Sequence, residues 1–133
     1  MNSRPRRSAL YMPGSNARAL DKARALPADV LILDLEDAVA PERKPAARQQ
    51  VREAIAAGGY GRRELLVRAN ALDTPWGADD LRAFAGAGVD GIVLSKVASP
   101  ADVLQAVRIL EASGAPDSLA LWFMAETARC ILH

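Results

Sequence analysis

The sequence predicts an α/β fold built on a parallel sheet, and three observations carry the prediction. Strand-like segments alternate with segments of helical periodicity along the 133 residues, the pattern of strand–helix–strand units. The run Val30-Leu31-Ile32-Leu33 is continuously apolar, as in a strand buried on both faces. Charged and polar residues gather directly after the apolar runs, at the strand ends where parallel α/β folds bind ligands.

Ser8 to Met12 reads as a short first strand, broken by Pro13-Gly14. Asn16 to Leu26 reads as a helix capped by Ser15 or Asn16, with Leu20, Ala23 and Leu26 on its buried side. Val30 to Leu35 is the second strand. Pro45 fits a first helical turn. Beyond it Ala47, Val51, Ala54 and Ile55 form a helical stripe, which Gly58-Gly59 ends. Leu65 to Ala69 is the third strand, and Asp79 to Ala87 a short helix with Leu81, Phe84 and Ala85 inward. Gly91 to Leu94 is the fourth strand. Ser99 caps, and Pro100 opens, a helix carrying Val103, Ala106, Val107 and Leu110 on one face. Leu119 to Met124 is the fifth strand, and Ala125 to His133 is too short to assign. The order β-α-β-α-β-α-β-α-β suits either an open doubly wound sheet or a (β/α)8 barrel. A barrel typically takes about 250 residues.

Composition excludes several classes. Half the residues are hydrophobic and a quarter charged, as in a globular protein. A net charge of +1, without a basic stripe interleaved with aromatics, gives no support to nucleic-acid binding. Arg4, Arg6 and Arg7 read as a solvated basic tail. Cys130 is the single cysteine, so neither an internal disulfide nor a thiolate metal cluster is expected. No stretch approaches the roughly 20 apolar residues of a membrane span, and no secretory signal is visible. The expected location is the cytoplasm.

Four of the five strands deliver polar groups at their carboxyl ends. The second gives Asp34, Glu36 and Asp37, the third Arg68 and Asn70, the fourth Lys96, and the fifth Glu126 and Thr127. Pro13-Gly14 after the first offers a place where backbone and ligand approach closely. Carboxylates without histidine or cysteine suit a hard cation such as magnesium. An arginine beside it suits binding of a carboxylate or stabilisation of an enolate. Gly86-Ala87-Gly88-Val89-Asp90-Gly91 precedes a strand, the reverse of a dinucleotide fingerprint. His133 is the single histidine, which gives a Ser-His-Asp system no support. Trp76 reads as a packing or loop-anchoring residue.

Five ordered blocks then resemble the citrate lyase beta-subunit-like proteins of the HpcH/HpaI aldolase superfamily, with malyl-CoA lyases as relatives. They are Arg7-Ser8-Ala9-Leu10-Tyr11-Met12-Pro13-Gly14-Ser15 with Arg18-Ala19-Leu20; Ala28-Asp29 with Leu33-Asp34-Leu35-Glu36-Asp37-Ala38-Val39, Lys44 and Ala47-Arg48; Val67-Arg68-Ala69-Asn70; Asp90-Gly91-Ile92-Val93-Leu94-Ser95-Lys96; and Glu126-Thr127-Ala128-Arg129. The resemblance implies a (β/α)8 TIM-barrel type fold with about five of eight βα units in residues 1–133, a single partial domain truncated at its C-terminus. It implies a magnesium-dependent carbon–carbon lyase that cleaves or forms a 3-hydroxyacyl-CoA, citryl-CoA or malyl-CoA like, from an acyl-CoA and a 2-oxo acid. Homo-oligomers, trimers or hexamers, are usual in that family.

By motif, Glu126 would be a magnesium ligand. Arg68 would contact the 2-oxo acid and stabilise the enolate. Asp34, Glu36 and Asp37 would form the acidic group holding waters on the metal or Arg68 itself, with Glu36 and Asp37 counted as catalytic. Arg18 and Lys44 are candidates for the CoA phosphates, against a reading as solvated helix-face charges. Three departures stand out. Ser95 replaces a usual proline, and Cys130 a usual glycine. The family's second metal carboxylate would fall beyond His133. Two alternatives accompany the lyase: a truncated, non-catalytic fragment of such an enzyme, and a metal-dependent aldolase acting on free pyruvate.

Overall fold

Each apolar run forms a strand, and all five strands lie parallel in chain order. The computed structural model describes residues 4–124. The strands are β1 (Ala9–Pro13), β2 (Val30–Asp34), β3 (Glu64–Ala69), β4 (Gly91–Leu94) and β5 (Ala120–Phe123). The helices between them are α1 (Ala17–Lys22), α2 (Lys44–Ala57), α3 (Gly77–Phe84) and α4 (Pro100–Ala112). Sheet order is β1-β2-β3-β4-β5, without the reversal of a doubly wound sheet.

Side-chain alternation along the strands separates two apolar layers. On one face Leu31, Leu33, Val67 and Ile92 pack with Leu20 of α1, Val51 of α2, Phe84 of α3 and Leu110 of α4. On the other, Val30, Ile32, Leu66 and Val93 pack with Trp122 and Met124, and no helix contributes. Sequential parallel strands with all helices on one face are the arrangement of a (β/α)8 barrel, so the helix-free face is the barrel interior. The doubly wound alternative, which needs helices on both faces, is set aside.

The helix boundaries have local causes. Asn16 Oδ1 accepts the Ala19 N–H at 3.0 Å and starts α1, whose expected C-terminal part tightens into a 3-10 turn at Ala23–Ala25. Gly58 ends α2 at φ 71°, a left-handed conformation glycine adopts without strain. Asp102 Oδ2 accepts the Ala98 and Ser99 N–H groups at 2.8 and 3.2 Å and caps α4. The expected start of α3 at Asp79 moves to Gly77. Gly77 lies so close to the preceding loop that a Cβ there would stand 2.2 Å from the Ala71 carbonyl oxygen.

The basic N-terminus is not a solvated tail. Arg7 pairs with Asp29 at 3.1 Å, Arg6 with Glu64 at 2.7 Å and Arg4 with Asp90 at 3.1 Å. Those acids stand at the starts of β2, β3 and β4 in turn. Arg6 also lies 5.0 Å from the Trp122 ring centroid. The segment straps the amino-terminal end of the sheet, each arginine finding the carboxylate of one successive strand.

Candidate active site

Asp34 closes β2 at its carboxyl end and is fully buried. Its register partner is Arg68 on β3, and parallel pairing points both side chains to the barrel interior. Asp34 Oδ1 and Oδ2 accept Arg68 Nε and Nη2 at 2.8 and 2.6 Å, a two-pronged charge-assisted contact. The same carboxylate accepts the Glu36 N–H at 2.8 Å and the Ala38 N–H at 3.0 Å. It therefore holds both the arginine and the loop after β2. The Tyr11 ring lies over the guanidinium, 4.6 Å from centroid to Cζ. The pair with Asp34 raises the Arg68 pKa further, so the cation is permanent.

Arg68 Nη1 is the prong that Asp34 does not take. It reaches Met124 Sδ at 3.5 Å and stands 3.8 Å from Glu36 Oε1. Glu36 Oε1 is itself buried with no hydrogen-bond partner among the described residues. Its other oxygen, Oε2, meets Lys96 Nζ, which also bonds Asp37 Oδ1 at 3.2 Å. Burial pushes the Glu36 carboxyl above the usual carboxylate range, opposed by Lys96 and helped by Asp37. The neighbouring Glu36 side chain and then the Lys96 hydrogen bond hold Asp37 below that range.

Lys96 carries φ 50°, the left-handed region that a side chain with a Cβ seldom enters. That turn brings its ammonium over the acidic loop. Just before it, Ser95 is buried and its Oγ donates to the Ala69 carbonyl at 2.7 Å, so the position where the resembling proteins usually carry proline is here tied to β3 by a hydrogen bond. Residues 70–73 and 94–98 line a cleft of about 140 Å³ beside this lysine.

The expectation for Lys44 is corrected. Lys44 is not a helix-face charge, and no donor remains for a CoA phosphate. It is 7% exposed, and Nζ donates to the Leu35 and Glu36 carbonyls and to Asn70 Oδ1 at 3.0, 2.8 and 2.6 Å. Those bonds use all three hydrogens of an ammonium. Pro13-Gly14 is corrected too: Gly14 is buried, donates to the Asp34 carbonyl at 2.7 Å, and a Cβ there would meet Val51 at 2.8 Å. Its close approach serves the β1–β2–α2 contact and not a ligand. Arg18 is exposed on α1, as a phosphate contact or a solvated charge would be. Glu126, Thr127 and Cys130 lie outside the described residues. Tyr11, missed as a site residue, was legible as an inward position on β1, paired with Ile32.

A strand-end mouth with a fixed arginine and an acidic loop suits an anionic, oxygen-rich ligand. The family model of the HpcH/HpaI aldolases and citrate lyases matches residues 7–133. The chain belongs to the HpcH/HpaI aldolase/citrate lyase family. It is 50% identical over 129 residues to a (3S)-malyl-CoA thioesterase of Cereibacter sphaeroides, covering 97% of this chain and 43% of that protein. It is 41% identical to the citrate lyase subunit beta of Escherichia coli, covering 84% of this chain and 38% of that one. The chain thus spans less than half the length of these curated relatives.

Solved structures of the family agree. The citrate lyase beta subunit of Mycobacterium tuberculosis complexed with oxaloacetate and magnesium superposes with a TM-score of 0.71 at 34% identity, over 96% of this chain and 52% of that one. The CitE protein of the same organism, in complex with magnesium, acetoacetate and coenzyme A, superposes at 0.70 and 34%, over 96% and 43%. No group of three or more metal-ligating side chains occurs among the described residues. Within them, Glu36 Oε1 is the oxygen that fits a hard cation, being buried without a hydrogen-bond partner. No described helix is long and apolar enough to cross a membrane.

Proposed function

We propose that this chain provides the first five strands of a magnesium-dependent carbon–carbon lyase, acting between an acyl-CoA and a 2-oxo acid. The observation that supports it best is the Arg68–Asp34 pair, which presents one guanidinium edge to the barrel mouth beside a carboxylate oxygen without a hydrogen bond. Magnesium, held by Glu36 and Glu126, would polarise the keto oxygen of the 2-oxo acid.

The protein's own groups do the rest. Arg68 Nη1 exchanges its thioether contact for the substrate carboxylate and stabilises charge on the developing thioester enolate. Asp34 keeps the guanidinium from turning. Glu36 and Asp37 together hold the Lys96 ammonium at the mouth. Tyr11 covers the arginine on the side facing solvent. A cytoplasmic homo-oligomer is the setting this reading takes, with residues 1–133 as one partial barrel domain.

A second reading, hydrolysis of a malyl-CoA thioester, draws on the 50% identity with proteins named as thioesterases. The two part at the bond broken. With malyl-CoA and magnesium, a lyase gives acetyl-CoA and glyoxylate, whereas a thioesterase gives malate and free CoA. Chromatography of the products decides. Turnover of a 4-hydroxy-2-oxo acid without CoA supports the pyruvate aldolase, and no turnover of any of these supports the non-catalytic fragment.

A further inference from the structure

Lys44 is the most deeply placed ammonium among the described residues, and the proposed chemistry gives it no task. Burying a cation costs several kcal/mol, and an apolar side chain of similar size avoids that cost. Stability of α2 alone therefore does not call for a charge there. What the charge supplies is direction.

Two of its hydrogens go to consecutive carbonyls, those of Leu35 and Glu36. From the opposite side, the Asp34 carboxylate takes the N–H groups of Glu36 and Ala38. The backbone of Glu36 is thus held at both its N–H and its C=O. The third hydrogen goes to Asn70 Oδ1. The Asn70 amide donates to Asp80 Oδ2 at 2.7 Å, and Asp80 Oδ1 accepts Arg48 Nε at 2.8 Å. Lys44 and Arg48 stand four residues apart on one face of α2, so one helix holds both ends of the relay. The Trp76 ring, 5.3 Å from Nζ, covers it.

We infer that Lys44 is a positioning residue, its ammonium fixing the loop after β2 so that Glu36 and Asp37 face Arg68 and Lys96. The link to metal and substrate rests on the proposed function; the link to the loop does not.

The test compares Lys44→Met with Val51→Ala, a cavity variant on the same helix that touches none of these bonds. Hydrogen exchange is read at the amides of residues 36–39. Calorimetry reads magnesium binding in the presence of oxaloacetate. Lys44→Met is expected to speed exchange there by at least about tenfold and to weaken magnesium by about 10- to 100-fold. Val51→Ala is expected to lower the melting temperature with neither effect. Unchanged loop exchange in Lys44→Met overturns the inference, as does equal acceleration in Val51→Ala. If the parent chain binds no magnesium, the functional reading fails and exchange alone decides the positioning role. Should Lys44→Met not fold, Asn70→Ala, which removes the third acceptor, is read in the same way.

Discussion

Asp34 and Arg68 face one another as register partners on β2 and β3 and join through two hydrogen bonds of 2.8 and 2.6 Å. Both are buried, so the pair is a fixed part of the barrel interior and presents a preset guanidinium edge.

Removing one partner strands the other. Asp34→Ala is expected to cost about 3–5 kcal/mol, the usual penalty for breaking a buried pair. The double variant Asp34→Leu with Arg68→Met is expected to recover most of that stability while losing 2-oxo acid binding. Urea denaturation of the single and double variants measures the first, and calorimetry with oxaloacetate the second. A double variant no more stable than Asp34→Ala contradicts the account.

The arginine strap predicts a ranking. Arg6 meets a buried Glu64 carboxylate, whereas the exposed Arg7 meets a partly exposed Asp29. Loss of Arg6 leaves a buried acceptor unpaired, while exposed pairs contribute little. Arg6→Ala is therefore expected to lower the melting temperature more than Arg7→Ala. Equal melting temperatures would count against the strap.

Asp29 gives the strap a pH signature. Its carboxyl is held below the ordinary value, chiefly by the Arg7 hydrogen bond. A depressed folded value contributes stability above the unfolded value of about 3.9, lost as pH falls through the folded value. Asp29→Asn is expected to flatten the acid limb of the stability profile, and less so in high salt. Thermal melts across the acid range, at low and high salt, provide the check.

Gly77 tolerates no side chain. A Cβ would stand 2.2 Å from a backbone oxygen, at Ala71, that cannot move aside. Gly77→Ala is expected to cost about 1–3 kcal/mol by overpacking, whereas Gly86→Ala, with nothing within 4 Å, is expected to be near neutral. Paired denaturation curves distinguish them.

Much of the fold was legible because helix and strand periodicities differ. The strands Val30–Asp34 and Gly91–Leu94 and the Pro100 start of α4 fall where apolar runs and caps place them. The acidic cluster at the end of β2 and Arg68 near the end of β3 were visible as polar residues at strand ends. Lys44 was not, since a lysine in a first helical turn reads the same whether it meets water or three buried oxygens. Arg4, Arg6 and Arg7 likewise read as a tail because their partners lie 86, 58 and 22 residues away, respectively.

The amino-acid sequence by itself determined the alternation of strands and helices, the family, and the kind of chemistry its carboxylates and arginine can support. Those properties are local: periodicity, caps and short motifs act within one turn or one strand. The tertiary structure decided which groups meet. Sequential parallel order and the β2–β3 register set Asp34 against Arg68, turned Lys44 inward, and drew three arginines onto three strand starts. Partner choice depends on contacts closed between distant strands, and a charged residue carries no mark of whether water or a buried opposite charge will solvate it.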